Sequence, residues 1–337
     1  MNINIGLIGF GYWGPNLVRN FSLADNCQVK MVADFRLDRI SNISRLYPGI
    51  EITTDPFDII NNNDIDAVII ATPVFTHFEL AEAALNNGKH VLVEKPMTSN
   101  TKQAEILLNI AEQKKLTLMV DHTFLYTGAV DKMKELIETD SIGKVKYFDS
   151  TRINLGLFQP DVNVLWDLAP HDLSILFHLV PYKPISVNAV GISHTDNQIE
   201  NIAYLTINYE NDFIAHFNCS WTSPVKVRST LIGGDTKMIV YNDLEPSEKI
   251  RIYDTSYIHQ NDEEKNRIMV DYRTGDVQIP KVSTKEALAS VAKDFIQSIL
   301  QKKQPIANGQ LGMDVVRILE ASQISIKNMG KQTNISK

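Results

Sequence analysis

The chain has 337 residues, 44% of them hydrophobic and 22% charged, which excludes a disordered or fibrous protein and leaves room for two domains with separate cores. A net charge of −7 argues against a nucleic-acid-binding surface, although a local group of arginines could still hold an anionic small molecule. The two cysteines, Cys27 and Cys219, stand far apart with no ligand pattern around them, so neither a disulfide framework nor a metal site is expected.

The opening Met-Asn-Ile-Asn-Ile enters a strand pattern at once, with no basic stretch leading into an apolar one, and no apolar run is long enough to span a bilayer. A cytoplasmic protein without membrane association is expected. Over residues 1–122 short apolar runs alternate with helical periodicity. Strands are predicted at 4–8, 28–33, 66–71, 89–93 and 116–120, and helices at 14–23, 37–46, 75–86 and 101–114, with Asn87-Gly88 closing the third. Val/Ile-rich runs separated by helices predict an α/β Rossmann domain, a doubly wound parallel sheet covered on both faces.

Between the first strand and first helix, Gly9-Phe10-Gly11-Tyr12-Trp13-Gly14 fits G-x-G-x-x-G. The pattern is weak alone, but strand and helix flank it as dinucleotide binding requires. Gly9 permits the tight turn, Gly11 lets a pyrophosphate approach the backbone, and Gly14 lets helix pack on strand. The N–H groups opening the helix then hold the phosphates, and Pro15 in the first turn costs little. Asp34 ends the second strand, where its carboxylate can accept ribose hydroxyls and repel a 2′-phosphate. NAD(H) is therefore favoured, with NADP(H) the alternative if Arg36 pairs with that phosphate. Further on, Val91-Leu92-Val93-Glu94-Lys95-Pro96 sets a lysine at the carboxyl end of a buried strand, the edge where ligands gather in such sheets. Pro96 restricts that lysine, with a cis peptide as one option.

After about residue 140 the pattern changes. Strand runs at 144–154, 185–193, 203–209, 213–220, 225–232 and 237–241 follow one another, with a helix at 170–179 and a Gly233-Gly234 turn. They predict an α+β domain with a mostly antiparallel sheet. Residues 254–274 read as a polar excursion, and helices at 285–301 and 309–327 close the chain. The expected division is 1–122 for the dinucleotide, 123–308 for substrate and oligomerisation, and 309–337 packing back on the first domain.

Taken in order, Gly9–Gly14, Ala71-Thr72-Pro73 followed by His77, Glu94-Lys95-Pro96, Asp167-Leu168-Ala169-Pro170-His171 and the closing Asp294-Phe295, Pro305, Gly309 and Gly312 resemble the Gfo/Idh/MocA family of sugar and inositol oxidoreductases. The resemblance spans nearly the whole chain. It implies that the second sheet is open and that its exposed face builds a homodimer or homotetramer. It also implies that Lys95 matches the family's EKP lysine and that Asp167 and His171 match its D-x-x-x-H pair. Thr72, Pro73, His77 and Glu94 would border the cofactor's ribose and nicotinamide. His171 suits general acid/base work, since an ordinary imidazole titrates near neutrality; Lys95 would hold and polarise the reacting oxygen, and Asp167 would orient substrate or histidine. Exchanging the roles of Lys95 and His171 is the alternative. A helix would put Asp167 and His171 on one face, but Pro170 is expected in the first turn, leaving Asp167 at or before the cap. The family's acid three residues past the histidine is replaced by Ser174, with Asp172 beside the histidine instead.

The stretch 150–167 is rich in groups that recognise polar ligands. Arg152, Asn154 and Asn163 could bind hydroxyls or phosphate, Phe158 and Trp166 could stack on a sugar or base, and His122 and Tyr126 would form another wall. Gly-Tyr-Trp-Gly-Pro-Asn and Asp-Leu-Ala-Pro-His-Asp resemble members that modify nucleotide sugars, implying a 3-dehydrogenase or ketoreductase on a nucleotide-linked hexose. Two alternatives are a dinucleotide-binding sensor without turnover, against which the retained Lys95, Asp167 and His171 speak, and an NAD-assisted glycosidase.

Overall fold

The computed structural model describes residues 2–41, 43–156, 158–254, 256–258, 271–273 and 275–335. The chain forms two compact units, Met1–Tyr126 with Lys285–Glu320, and Thr127–Thr284 with Ala321–Lys337.

The first unit is built on six strands: β1 (Ile3–Ile8), β2 (Cys27–Ala33), β3 (Glu51–Thr53), β4 (Ala67–Ile70), β5 (His90–Glu94) and β6 (Leu118–Asp121). They pair in parallel in the order β3-β2-β1-β4-β5-β6. The order reverses between β1 and β4, so a crevice opens there at the carboxyl edge. All four residues of β4 are buried, as expected for a strand covered on both faces. The connecting helices are α1 (Gly14–Ser22), α2 (Leu37–Ile40), α3 (Ile43–Leu46), α4 (Pro56–Ile60), α5 (His77–Asn86) and α6 (Thr101–Lys114). The single helix predicted over 37–46 is thus two short helices. Strand β3 and helix α4 were not anticipated: three residues are too few to show a period, and the signal for α4 is the Asp55-Pro56 pair, in which Asp55 caps the Phe57 N–H.

The second unit holds α7 (Gly128–Glu138), another unanticipated helix, and α8 (Val164–Leu179). Its strands are β7 (Val145–Leu155), β8 (Pro184–Ile192), β9 (Ile202–Tyr209), β10 (Ile214–Ser220), β11 (Thr222–Gly234), β12 (Met238–Asn242), β13 (Ile250–Tyr253), β14 (Ser256–Ile258), β15 (Asp271–Arg273), β16 (Val277–Gln278) and β17 (Thr333–Asn334). Nine of them form one open sheet in the order β16-β13-β12-β11-β7-β10-β9-β8-β17, antiparallel except for the parallel β7–β10 pair. Along β9, Ala203, Leu205 and Ile207 are buried while Tyr204, Thr206 and Asn208 alternate outward, the period-two pattern of a sheet with one covered face. Gly233 and Gly234 close β11 rather than turning it. Side chains there would run into the Tyr147 ring and the Ile142 carbonyl. Strands β14 and β15 pair with each other, and the rest of the predicted polar excursion lies outside the described residues.

The last two helices, α9 (Ala287–Gln301) and α10 (Gly309–Lys327), divide differently from the expected boundaries. Residues 285–308, assigned by sequence to the substrate domain, belong to the first unit: Phe295 meets Phe21 edge to face at 6.2 Å, and Asp294 accepts the Tyr126 hydroxyl at 2.8 Å. The end of α10 and β17 belong to the second unit, where β17 pairs with β8 and the Ser325 hydroxyl accepts the Ala189 N–H. Among the described residues no helix is long and apolar enough to cross a membrane.

Candidate active site

The turn from β1 to α1 needs its glycines. Gly9 has φ +98°, and a side chain there would strike the Ala71 carbonyl at the end of β4. A Cβ on Gly14 would lie 2.6 Å from the Gly9 carbonyl oxygen. Trp13 precedes α1 without a side-chain cap, and Pro15 sits in the first turn, so the helix opens with N–H groups that no side-chain cap takes up. Tyr12 is almost fully exposed. This cradle at the crevice fits a dinucleotide pyrophosphate.

Asp34, just past β2, is buried. Its Oδ2 accepts the Phe10 N–H at 2.7 Å and its Oδ1 the Arg36 N–H at 2.9 Å, so the acid ties the glycine-rich turn to the edge of β2. Arg36 is exposed and reaches Asp34 through its backbone; the nearer guanidinium belongs to Arg39, whose Nη1 lies 3.5 Å from Asp34 and the same distance from where a Gly11 Cβ would stand. After β4, the Thr72 and Thr76 hydroxyls lie 2.7 Å apart, and Pro73 caps a short 3-10 turn. His77 is buried, with Nδ1 2.9 Å from the Pro96 carbonyl and Nε2 2.8 Å from that of Thr72. It braces two loops of the crevice, and burial lowers its pKa.

At the end of β5, Glu94 stands in register with Asp121 of β6. The Lys95–Pro96 peptide bond is cis. Burial, with the adjacent Asp121, raises the Glu94 carboxyl well above the usual carboxylate range, while Asp121 accepts the Trp13 indole N–H at 3.0 Å and the Thr123 hydroxyl at 2.6 Å. His122 is 1% exposed, neither ring nitrogen has a hydrogen-bond partner among the described residues, and burial reinforced by Lys95 pushes its pKa down to about 3. Tyr126 instead spends its hydroxyl on Asp294 and the Ala307 N–H. A separate cavity of about 940 Å³ opens at the opposite edge, where β5 and β6 begin, between α6 and the α9–α10 junction. Ligand chemistry in a parallel sheet belongs to the carboxyl edge, and we place the site there.

In the second unit α8 begins earlier than predicted. Asn163 caps it by accepting the Trp166 N–H at 3.2 Å, so Asp167 falls inside the helix and Pro170 in its interior. Asp167 and His171 therefore share one face, four residues apart. The Asp167 carboxylate accepts the Trp221 indole N–H at 3.0 Å, and the Phe158 ring stacks on Trp221 at 5.6 Å. Asn154 stays partly exposed. Two residues expected to meet substrate have internal partners instead, and a third is buried. Arg152 is 3% exposed and forks onto Asp172 at 2.7 and 2.8 Å, Asn163 donates to Glu200 and Gln323, and Trp166 is buried. Sequence reasoning missed Arg39 and Trp221, and had Asp121 only as part of the wall it forms with His122 and Tyr126. Arg39 follows Arg36 by one helical turn and Asp121 ends the strand beside Glu94, so both had a positional signal; Trp221 had none. Among the described residues no cluster of His, Cys, Asp or Glu could hold a metal ion.

Comparison with known proteins defines the class. Residues 3–122 match a model described as an oxidoreductase family with an NAD-binding Rossmann fold, and residues 130–240 match a Gfo/Idh/MocA C-terminal domain. The protein is an NAD-binding Rossmann oxidoreductase. The chain belongs to the Gfo/Idh/MocA family. It is 25% identical to a UDP-N-acetylglucosamine 3-dehydrogenase of Acidithiobacillus ferrooxidans over 94% of this chain and 95% of that one. It is 27% identical to a scyllo-inositol 2-dehydrogenase (NADP(+)) of Bacillus subtilis over 61% of this chain and 60% of that one. A solved levoglucosan dehydrogenase in complex with NADH superposes over the whole of both chains with a TM-score of 0.85 at 21% identity, a likeness of fold.

Proposed function

We propose that the chain is an NAD(H)-dependent dehydrogenase or ketoreductase for a secondary alcohol of a sugar, with a nucleotide-linked hexose as the substrate class. The observation that carries the reading is the carboxyl edge of the first unit, where the glycine turn, Asp34 and Glu94-Lys95-Pro96 stand at the ends of β1, β2 and β5 of one parallel sheet. The near full-length similarity to a UDP-N-acetylglucosamine 3-dehydrogenase supports the choice of substrate class.

The N–H groups opening α1 hold the pyrophosphate and Asp34 accepts the adenosine ribose hydroxyls, which favours NAD(H) over NADP(H). Thr72, Pro73 and Glu94 border the rest of the cofactor. When bound, the nicotinamide supplies or accepts the hydride. Lys95 holds and polarises the reacting oxygen, and His171 takes or returns its proton. Asp167, anchored by the Trp221 indole, fixes the face of α8 that carries His171. Asn154 and the Phe158 ring bind the sugar, and His122 lines the site; leaving both of its buried ring nitrogens unsatisfied costs about 1–3 kcal/mol each. Arg152, Asn163, Trp166 and Tyr126 shape the walls.

The outward face of the second sheet, with Tyr147, Tyr204 and Ile214 partly exposed and Tyr204 stacked on His216, supports a homodimer or homotetramer through that face. Two free thiols, one of them buried, suit the reducing cytoplasm. A panel of UDP- and dTDP-hexoses, free sugars and inositols, assayed with NAD+ and NADP+ by reduced-cofactor absorbance, tests the reading. Turnover of nucleotide sugars with NAD+ is expected, lowered roughly 10²–10⁴-fold in Lys95→Ala while NADH still binds. Turnover confined to inositols or free sugars overturns the substrate class, and full activity in Lys95→Ala overturns the role of the lysine.

A further inference from the structure

Strand register forces Glu94 and Asp121 together at the ends of β5 and β6. Two buried carboxylates side by side repel, and the relief is to share one proton between them. Their surroundings say where it sits. Asp121 receives two donors, the Trp13 indole N–H on Oδ2 and the Thr123 hydroxyl on Oδ1, so both of its oxygens already act as acceptors. Glu94 Oε2 accepts the Lys95 backbone N–H at 3.3 Å, and Oε1 is sealed from solvent with no partner among the described residues. Burial and the Asp121 charge both raise the Glu94 pKa.

The ionisable groups that interact with this pair are Lys95, which acts on Glu94, and Tyr126, which feels Asp121; Lys95 acts in turn on His122 and His77. The ammonium acts on all three neighbours, favouring the ionised form of Glu94 and the neutral forms of His122 and His77. With Glu94 and both imidazoles neutral, Asp121 is the remaining acid at these two strand ends. We propose that Glu94 and Asp121 are a positioning pair, in which the Glu94 carboxylic acid donates to the Asp121 carboxylate and their single shared charge fixes the Lys95 side chain at the end of β5. Trp13 extends the pair into the glycine-rich turn, so one carboxylate serves both the turn and the lysine.

The kinetic half of this inference rests on the dehydrogenase reading; the protonation half does not. In the full-length protein at pH 8, where ordinary carboxylic acids are ionised, infrared spectroscopy should show the carbonyl stretch of one protonated carboxylic acid. Glu94→Gln should remove it, and Asp121→Asn should also remove it, because Glu94 then ionises. Asp121→Asn should further lower kcat roughly 10- to 100-fold, as for a slightly misplaced catalytic group, with a smaller change in NADH Kd. Absence of the band in the wild type, or its survival in either variant, overturns the shared proton. Loss of the band with unchanged kcat overturns the positioning of Lys95. If no candidate substrate is turned over at all, the dehydrogenase reading fails, and the band alone decides the pair.

Discussion

Two buried acids, each settled inside its own unit, show two ways of holding a carboxylate out of water. Asp172 in the second unit meets a guanidinium: Arg152 forks onto both its oxygens, and both side chains are almost fully enclosed. Burial would lower the Arg152 pKa, but Asp172 overcomes that and the net shift is upward. Asp121 in the first unit meets a second acid, with an indole and a hydroxyl as its other partners. The first arrangement gives each Asp172 oxygen a guanidinium N–H. The second leaves Glu94 Oε1 and both His122 ring nitrogens without partners among the described residues. Buried polar groups are normally satisfied, and departures cluster at functional sites. The contrast sets an acid paired with a guanidinium against one that stands beside unpartnered polar atoms; the sequence offered Arg152 among the groups that could bind a ligand.

The largest effect should come from breaking the ion pair. Arg152→Met leaves Asp172 charged and buried without a partner, which should cost about 3–5 kcal/mol of stability, read by urea unfolding. Adding Asp172→Leu should recover most of it, because the cost lies in the orphaned charge. A small loss in the single variant would mean that Arg152 can leave the pair, returning it to the substrate.

A smaller effect tests the other region. His122 has a folded pKa of about 3, while in the unfolded chain an ordinary histidine titrates near 6.5. The unfolded state therefore binds more protons between these values, so stability rises with pH through that window and is level above it. At pH 5 this residue should cost the wild type about 2 kcal/mol relative to pH 8. His122→Phe should lose less stability between those pH values, measured by the same unfolding curves. Parallel losses in both proteins would mean that His122 is protonated in the folded state.

How much of this was legible depends on the range of the forces involved. The Rossmann unit could be read because its strands are continuous apolar runs and its glycines answer local backbone demands. Helix α8 was misplaced at its start because Pro170 signals a first turn, whereas the Asn163 cap and the packed face of the helix keep the proline in the interior. The Gly233-Gly234 pair looked like a turn because the reason for it, the Tyr147 ring one strand away, is distant in sequence. The Arg152–Asp172 pair and the Trp221–Asp167 bond are set by sheet register and by packing against α8, which no local pattern encodes. Candidate residues could be named from the sequence where strand ends carry them. They were harder to name where partners arrive from other elements.

Asp34 gives a third solution and the finest test of the comparison. This acid meets two backbone N–H groups and, farther out, the Arg39 guanidinium in an ion pair at 3.5 Å. Each carboxylate oxygen keeps a further lone pair, so the arrangement can hold the glycine turn and still accept ribose hydroxyls. Asp34→Ala should weaken NADH by roughly tenfold, a loss of about 1.4 kcal/mol suited to one charge-assisted hydrogen bond. NADPH should be weakened less, or bound better, because the 2′-phosphate no longer faces a carboxylate and Arg39 is freed to pair with it. Fluorescence titration of both cofactors measures the ratio. Equal losses would assign Asp34 to the glycine turn alone, and Asp34→Asn, which keeps one oxygen for the Phe10 N–H, would then restore both cofactors together.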